Sequence, residues 1–395
     1  MSRAINVLII QPYRNIFGPH QVMYRIVRQL HGERYRFSVI TPGDGPAADH
    51  FRALGVDVTY IPEATAFYRT SNPLQLLRFA ARLIVGAPRV AAYIRTRGIH
   101  LVHSTTAQCW VGGIAARLAG VPSIYHVHDV TLGSPKPVGW LIAQMINLTS
   151  DRTLFVSEAA RRALPLPSGA AHKACVVYNG VDTCEFRPGL SSEAIHLELG
   201  LQPGQRLVAA IGDLDERKGQ EYLVRACVRV REVFPDVRFL FVGGVASGGR
   251  QIDYDQRVKN LARELGVEAS TLFVGRRSDI PSLLNAVDLV VQPSLAEAFG
   301  LVVLEAGACG VPVVASATGG LLEIIADGET GLLVPPGDVK ALSETIMVLL
   351  RDEPRRRAMG IAARQRIERL FDLSKHIDVI AATYEDVTAG SQMAA

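Results

Sequence analysis

Two glutamates, Glu297 and Glu305, stand eight positions apart in SLAEAFGLVVLEAGACGVPVVAS, a stretch otherwise apolar and punctuated by glycine. The run DLVVQPS reads as a strand ending at Ser294, which leaves Glu297 in a strand-to-helix loop and Phe299, Gly300 and Leu301 at the opening of the next helix. Backbone N–H groups at a helix opening lack intrahelical partners and form a ready anion site, and Gly300 allows close approach. One helix end contributes only about 0.3–1 kcal/mol through its dipole, so a diphosphate needs further donors. A second loop, AIGDLDERKG, brings Arg217 and Lys218 to the end of another strand, with Gly219 letting the next helix start close by. Lys218 offers a compact point charge to phosphate; the plainer alternative is a loop of solvated charges.

SIYHVHDV puts His126 and His128 on one face of a strand end, by the period of two. A neutral imidazole there, with an unperturbed pKa of about 6.5, can hydrogen-bond a hydroxyl; two histidines satisfied by backbone is the other reading. His103, in HLVHSTTA, lies at a further strand edge and invites the same choice. Glu323, in GGLLEIIADG, reads as a helix N-terminal charge favoured by the dipole.

The elements that must position these residues are legible as two series of short aliphatic runs with helical segments between them, the pattern of parallel strands joined by crossover helices. INVLII, RFSVIT, VDVTYI, HLVHST, SIYHVH, TLFVS and CVVYN form the first series; RLVAAIG, VRFLFVGG, TLFVGR, DLVVQPS, VPVVAS and TGLLVPP form the second. Two series predict two doubly wound sheets, in line with 395 residues, more than one core usually organises. EFRPGLSSEAIHLELGLQPGQ has the look of a linker. Beyond TGLLVPP the pattern is helical, with Asp338 as an N-cap, a break at Asp352, Glu353 and Pro354, and small, polar residues at the end that read as frayed.

Composition fits a soluble globular chain read as cytoplasmic: INVLII is too short for a signal core, and five cysteines without ligand spacing predict neither disulfides nor a zinc site. The net charge of +4 is unevenly spread. Residues 1–180 hold 19 Lys and Arg against 8 Asp and Glu, a net of +11, while the remainder holds 23 against 30, a net of −7. A basic half attracts an anionic partner. Nucleic acid is disfavoured by the lack of a recognition motif. Residues 72–98 carry five arginines and no acid among Leu, Phe and Ile. They read either as a basic amphipathic helix pair against anionic lipid or as a packed helix with its arginines in water.

VVYNGVDTCEFRP, IGDLDERKGQEYLVRA and the long segment from FVGRRSDIPSLL to LLVPPGD, with FGPHQ and YHVHD more loosely, resemble the family 4 glycosyltransferases of the GT-B fold. The Glu-x7-Glu pair alone is a weak pattern; inside this ordered context it is a strong one. The resemblance implies two Rossmann-like doubly wound domains facing across a cleft: residues 1–188 for the acceptor, residues 189–370 for the nucleotide sugar, and a helix in 371–395 packing back on the first. It implies retaining transfer from a UDP-, GDP- or ADP-sugar, with no cofactor and no metal. Glu297 would hold sugar hydroxyls and Glu305 the ribose. Phe299, Gly300 and Leu301 would give phosphate-binding amides, Lys218 the ammonium, and Arg276 would lie near the base. Gly18 matches the family's glycine turn, and His128, then His126, the histidine near the transferred sugar.

One departure is Asp213, where the family usually has arginine; Arg217 is expected to take over that charge. The acceptor is a glycan, lipid-linked or other hydroxyl, in cell-surface polysaccharide or glycolipid synthesis, with peripheral attachment to the inner face of the plasma membrane. A nucleotide-sugar 2-epimerase and a catalytically impaired binding protein of the same fold are the rival readings.

Overall fold

The computed structural model describes residues 4–67, 72–130, 136–164, 166–244 and 249–394. The chain divides into two compact units, Met1–Asn179 with Lys375–Ala395, and Gly180–Ser374. In the first unit the strands are β1 (Ile5–Ile10), β2 (Tyr35–Thr41), β3 (Asp57–Tyr60), β4 (Leu101–Ser104), β5 (Ser123–Val127), β6 (Arg152–Phe155) and β7 (Ala174–Val176). The second has β8 (Leu207–Ile211), β9 (Arg238–Val242), β10 (Thr271–Gly275), β11 (Leu289–Gln292), β12 (Val313–Ser316) and β13 (Gly331–Val334). All pairings are parallel, in the orders β3-β2-β1-β4-β5-β6-β7 and β10-β9-β8-β11-β12-β13. Each order reverses once, between β1 and β4 and between β8 and β11. At such a switch point the connections leave to opposite faces and open a crevice beyond the carboxyl ends of the strands.

The aliphatic runs become central strands because helices cover both faces, and most of their side chains are buried. On one face of the first sheet Leu8, Ile10, Ile40 and Val102 pack on Val90, Ala91 and Ile94 of helix Pro73–Thr96 and on Val111, Ala115 and Ala116 of helix Trp110–Ala119. In the second unit Val208, Phe239, Leu289, Val291 and Val314 meet Leu223, Cys227 and Val230 from helix Gln220–Val233 and Leu342, Ile346 and Leu349 from helix Val339–Arg351. Asp338 caps the latter helix by accepting from the Ala341 N–H, and Asp352 caps helix Glu353–Leu370 from the Arg355 N–H.

Three local expectations change. The linker-like segment contains helix Glu193–Glu198 and belongs to the second unit, because the Leu190 N–H donates to Asn285 and His196 bonds the Ala286 carbonyl. Of the two readings of residues 72–98, the pair gives way to the single helix, Pro73–Thr96, with Pro88 inside it. The small and polar C-terminal residues are helical in Leu373–Ala394. That helix is held because Tyr384 is fully buried and its hydroxyl lies 2.7 Å from His103 Nδ1. Tyr384→Phe strands that nitrogen inside the first unit and is expected to cost about 1–3 kcal/mol in urea denaturation; an unchanged midpoint would show that the hydroxyl does not hold the helix.

Candidate active site

The second unit gathers its polar residues at its switch point. After β8 the chain runs through Gly212, Asp213 and Asp215 to Lys218; after β11 it runs through Ser294 to Glu297. These two connections are joined: Lys218 Nζ donates to Glu297 Oε2 at 2.6 Å, and the N–H of Leu295 donates to the Arg217 carbonyl at 2.7 Å. Gly219 is the residue that permits this. Its φ is +68°, and a Cβ there would strike the Pro293 carbonyl oxygen.

Glu297 is aimed by neighbours that its own sequence context does not advertise. Gln292 Nε2 donates to Ser294 Oγ at 2.7 Å, and Ser294 Oγ donates to Glu297 Oε2 at 3.3 Å, with both supporting residues buried. Lys218, Gln292 and Ser294 all address Oε2, while Oε1 has no bonding partner among the described residues. One oxygen is fixed to protein and the other remains an acceptor. From behind, the Glu297 carbonyl accepts from the Gly320 N–H at 3.0 Å. A Cβ on Gly319 would collide with that carbonyl, and one on Gly320 would meet Phe299 Cα at 2.6 Å. The consecutive glycines in ATGGLLE were the available signal for this close approach.

Helix Leu301–Ala308 opens beside Glu297 from Gly300, whose φ is +120°. No side chain caps it, and its first turn contains no acid. The opening is therefore disposed toward an exogenous anion. Phe299 is buried, so its contribution to a ligand would be its backbone, and Glu305 is buried within the helix.

Asp213 is paired with Arg276, whose Nη2 lies 2.9 Å from Oδ1. Since β9 lies between β8 and β10, the arginine following β10 must cross the end of β9. It can do so because Gly244 stands there: a Cβ at Gly244 would lie 2.6 Å from Arg276 Nε. Burial raises the Asp213 pKa above the usual carboxylate range, against the opposing pull of Arg276 and Lys218. Arg217 is instead held by Asp215, Nε to Oδ1 at 3.0 Å. The cation meeting Asp213 is thus Arg276, not Arg217.

In the first unit, Gly18 is exposed and begins helix Gly18–Leu30 after β1, with Pro19 second, no side-chain cap and no acid in the first turn. His126 is the penultimate residue of β5 and His128 lies just past its end, their ring centroids 4.1 Å apart. His126 stacks on His103 at 5.5 Å and faces His376 of the C-terminal helix at 6.2 Å. His126 is 0 % exposed and His128 9 %. Both imidazoles are thus buried, with His128 the more exposed of the two. Asp129 accepts from Thr106 Oγ1 at 3.0 Å, so that carboxylate is already engaged. His376 and Tyr384, nearly 250 residues or more beyond His126 in the chain, carried no sequence signal.

Two doubly wound parallel-sheet units, the second with a carboxylate held beside an uncapped helix opening, define the class of protein that binds its ligands beyond the carboxyl ends of its strands. Comparison with known proteins agrees. Residues 18–185 match Glycosyltransferase Family 4 and residues 191–366 match Glycosyl transferases group 1. D-inositol 3-phosphate glycosyltransferase of Mycobacterium tuberculosis is 33% identical over 331 residues, 79% of this chain and 66% of the relative, so the chain spans just under two thirds of that relative's length. The crystal structure of Anabaena HepE in complex with UDP-glucose is similar at a TM-score of 0.83 and 26% identity, covering 97% of this chain and 100% of that one. Sucrose-phosphate synthase from Thermosynechococcus elongatus shares the fold at a TM-score of 0.79 and 23% identity, covering 98% and 100%. The chain belongs to the group 1, family 4 glycosyltransferases, with the GT-B pair of Rossmann-like domains.

The buried histidines have a consequence for acid stability. Burial pushes the pKa of His103 and His128 down to about 3 and that of His376 to about 4, and holds His126 well below the usual range, with the neighbouring histidines adding to the effect for His103, His126 and His128. In the unfolded chain they titrate near 6.5. The unfolded state therefore binds protons first as pH falls, and stability declines from about pH 6.5 toward pH 4. Up to about 2 kcal/mol per histidine is lost between pH 7 and pH 5. Urea denaturation is expected to show a lower midpoint at the acidic pH and a smaller drop in His103→Phe; equal midpoints would contradict the neutral, buried stack.

Proposed function

We propose that this protein is a retaining, metal-independent glycosyltransferase that moves a sugar from a nucleoside-diphosphate sugar to a hydroxyl of a glycan or lipid-linked acceptor. The observation that carries the reading is Glu297, with Oε2 bound to Lys218 and Ser294 and Oε1 left to accept from a sugar hydroxyl. A shielded hydrogen bond to a charged group contributes about 1.5–3 kcal/mol, enough to orient the sugar. Lys218 retains donors for the diphosphate, joined by the amides at Gly300 and Leu301; Glu305 takes the ribose, and Arg276 approaches the base or its phosphates. These groups stabilise the charge that grows on the departing phosphate, an electrostatic task often given to a cation.

In same-face transfer the acceptor oxygen bonds the anomeric carbon as the bond from that carbon to phosphate breaks, and the acceptor's proton passes to the departing phosphate oxygen. His128, neutral because burial depresses its pKa, acts as a hydrogen-bonding group near the transferred sugar rather than as an acid. Gly18 gives the first unit's approach to the donor phosphate and the acceptor. UDP-glucose is the first donor to test, since HepE was solved with it. The mycobacterial relative's name points to a phosphorylated acceptor, which suits a basic first unit.

The experiment is incubation with UDP-, GDP- and ADP-sugars and a mixed acceptor set, followed by the anomeric configuration of the product. Transfer with retention in the presence of chelator is expected, together with loss of transfer in a Glu297→Ala chain that keeps its fold. A 2-epimer product, or tight donor binding without turnover, would overturn the reading, as would full activity in Glu297→Ala.

A further inference from the structure

Two helices on one face of the first sheet turn apolar side chains toward solvent. Helix Pro73–Thr96 is fastened at Phe79, which packs with Phe67 and Trp110 at ring centroid distances of 5.1 and 5.4 Å. Around that anchor its first half is exposed, with Leu77 at 67 % and Ile84 at 73 %; beyond Pro88 the helix buries Val90, Ala91 and Ile94 in the ordinary way. Helix Lys136–Thr149 has a similar reversal: it buries Ile142, Ala143 and Ile146 yet exposes Trp140 at 60 % and Leu148 at 67 %. A soluble helix of this fold normally shows its polar face to water. Helix Trp110–Ala119 packs against both, so they lie in one layer. Each crossover helix begins at the carboxyl edge of its sheet, so Leu77, Ile84 and Trp140 lie toward the edge that also carries Gly18 and His128.

Charge decides what covers this face. Between Glu63 and Asp129 the sequence contains seven arginines and no aspartate or glutamate. Arg78 and Arg82, interleaved with the exposed leucine and isoleucine, are themselves exposed and have no ion-pair partner among the described residues. Apolar and aromatic side chains with unpaired arginines, and no acid, match the boundary between anionic headgroups and acyl chains. Among the described residues no helix is long and apolar enough to cross a membrane, so the contact is with a surface. We infer that this layer is a docking face for an anionic lipid bilayer, with Leu77, Ile84 and Trp140 entering the interface and Arg78 and Arg82 meeting the headgroups. The inference rests on this face alone and does not depend on the donor site.

The test is co-sedimentation of the full chain with vesicles of phosphatidylglycerol and phosphatidylcholine in equal parts, against vesicles of phosphatidylcholine alone. Binding to the anionic vesicles only is expected, with partition falling about fivefold for each of Arg78→Gln and Arg82→Gln. Leu77→Glu combined with Ile84→Glu should abolish it while leaving the melting temperature in place. The chain has two tryptophans and Trp110 is buried, so a blue shift in fluorescence on adding anionic vesicles reports Trp140, and Trp140→Leu should remove it. Equal binding to both vesicle types, no fluorescence shift, or vesicle-free dimers dissolved by the same glutamate substitutions would overturn the proposal, the last by assigning the face to a second copy of the chain.

Discussion

Where strand order reverses, a parallel sheet leaves two chain connections departing to opposite faces, and something must hold them together if the opening between them is to have a fixed shape. In the second unit that task falls to the Lys218–Glu297 pair, closed at 2.6 Å over the gap between β8 and β11. The backbone bond from Leu295 to Arg217 and the bare approach of Gly219 to Pro293 set its geometry. Both side chains are mostly shielded, at 26 % and 12 % exposure, so the pair is held more firmly than a surface salt bridge of about 0–1 kcal/mol. Among the described residues, the cations of these connections are matched with carboxylates: Lys218 with Glu297, Arg217 with Asp215, Arg276 with Asp213. An anionic ligand must therefore offer more than net attraction. It must present oxygens to donors these pairs leave unused.

The two units use different interiors. The second is packed with aliphatic and aromatic side chains and pairs its buried charge, Arg356 meeting Asp288 at 3.0 Å at the amino end of β11. The first places five histidines, Tyr384 and Gln11 inside, with neither amide atom of Gln11 nor either ring nitrogen of His126 bonded to a described residue. Buried polar groups without partners are expensive. Keeping the imidazoles neutral limits that cost, and the price is sensitivity to acid.

The strands were readable because buried parallel strands are uninterrupted aliphatic runs: ten fall wholly within the segments that the sequence marks, and β2, β6 and β7 start one residue earlier. Glu297, Lys218 and Gly300 were readable as members of separate loops. Their meeting was not, because it depends on strand order rather than on spacing. Asp213 was visible as a departure, but its partner required knowing that Gly244 clears a path across the end of β9 for Arg276. His376 and Tyr384 lie in the C-terminal helix that the resemblance implies, and its small and polar end is held by His103 and His126 together with the bonds of Tyr35 to Glu385 and Arg152 to Asp386. The face of helix Pro73–Thr96 was legible only as a choice between a lipid-facing pair and a packed helix, since periodicity marks an apolar stripe without saying what covers it.

The most direct test of the account is calorimetric binding of UDP and UMP to the wild-type chain and to Lys218→Ala. If the Lys218–Glu297 pair organises a diphosphate site, the wild type prefers UDP, and the substitution removes about ten- to hundredfold of that preference while leaving UMP affinity nearly unchanged. Equal UDP affinity in the two proteins would contradict the account and reduce the pair to a loop-fastening salt bridge.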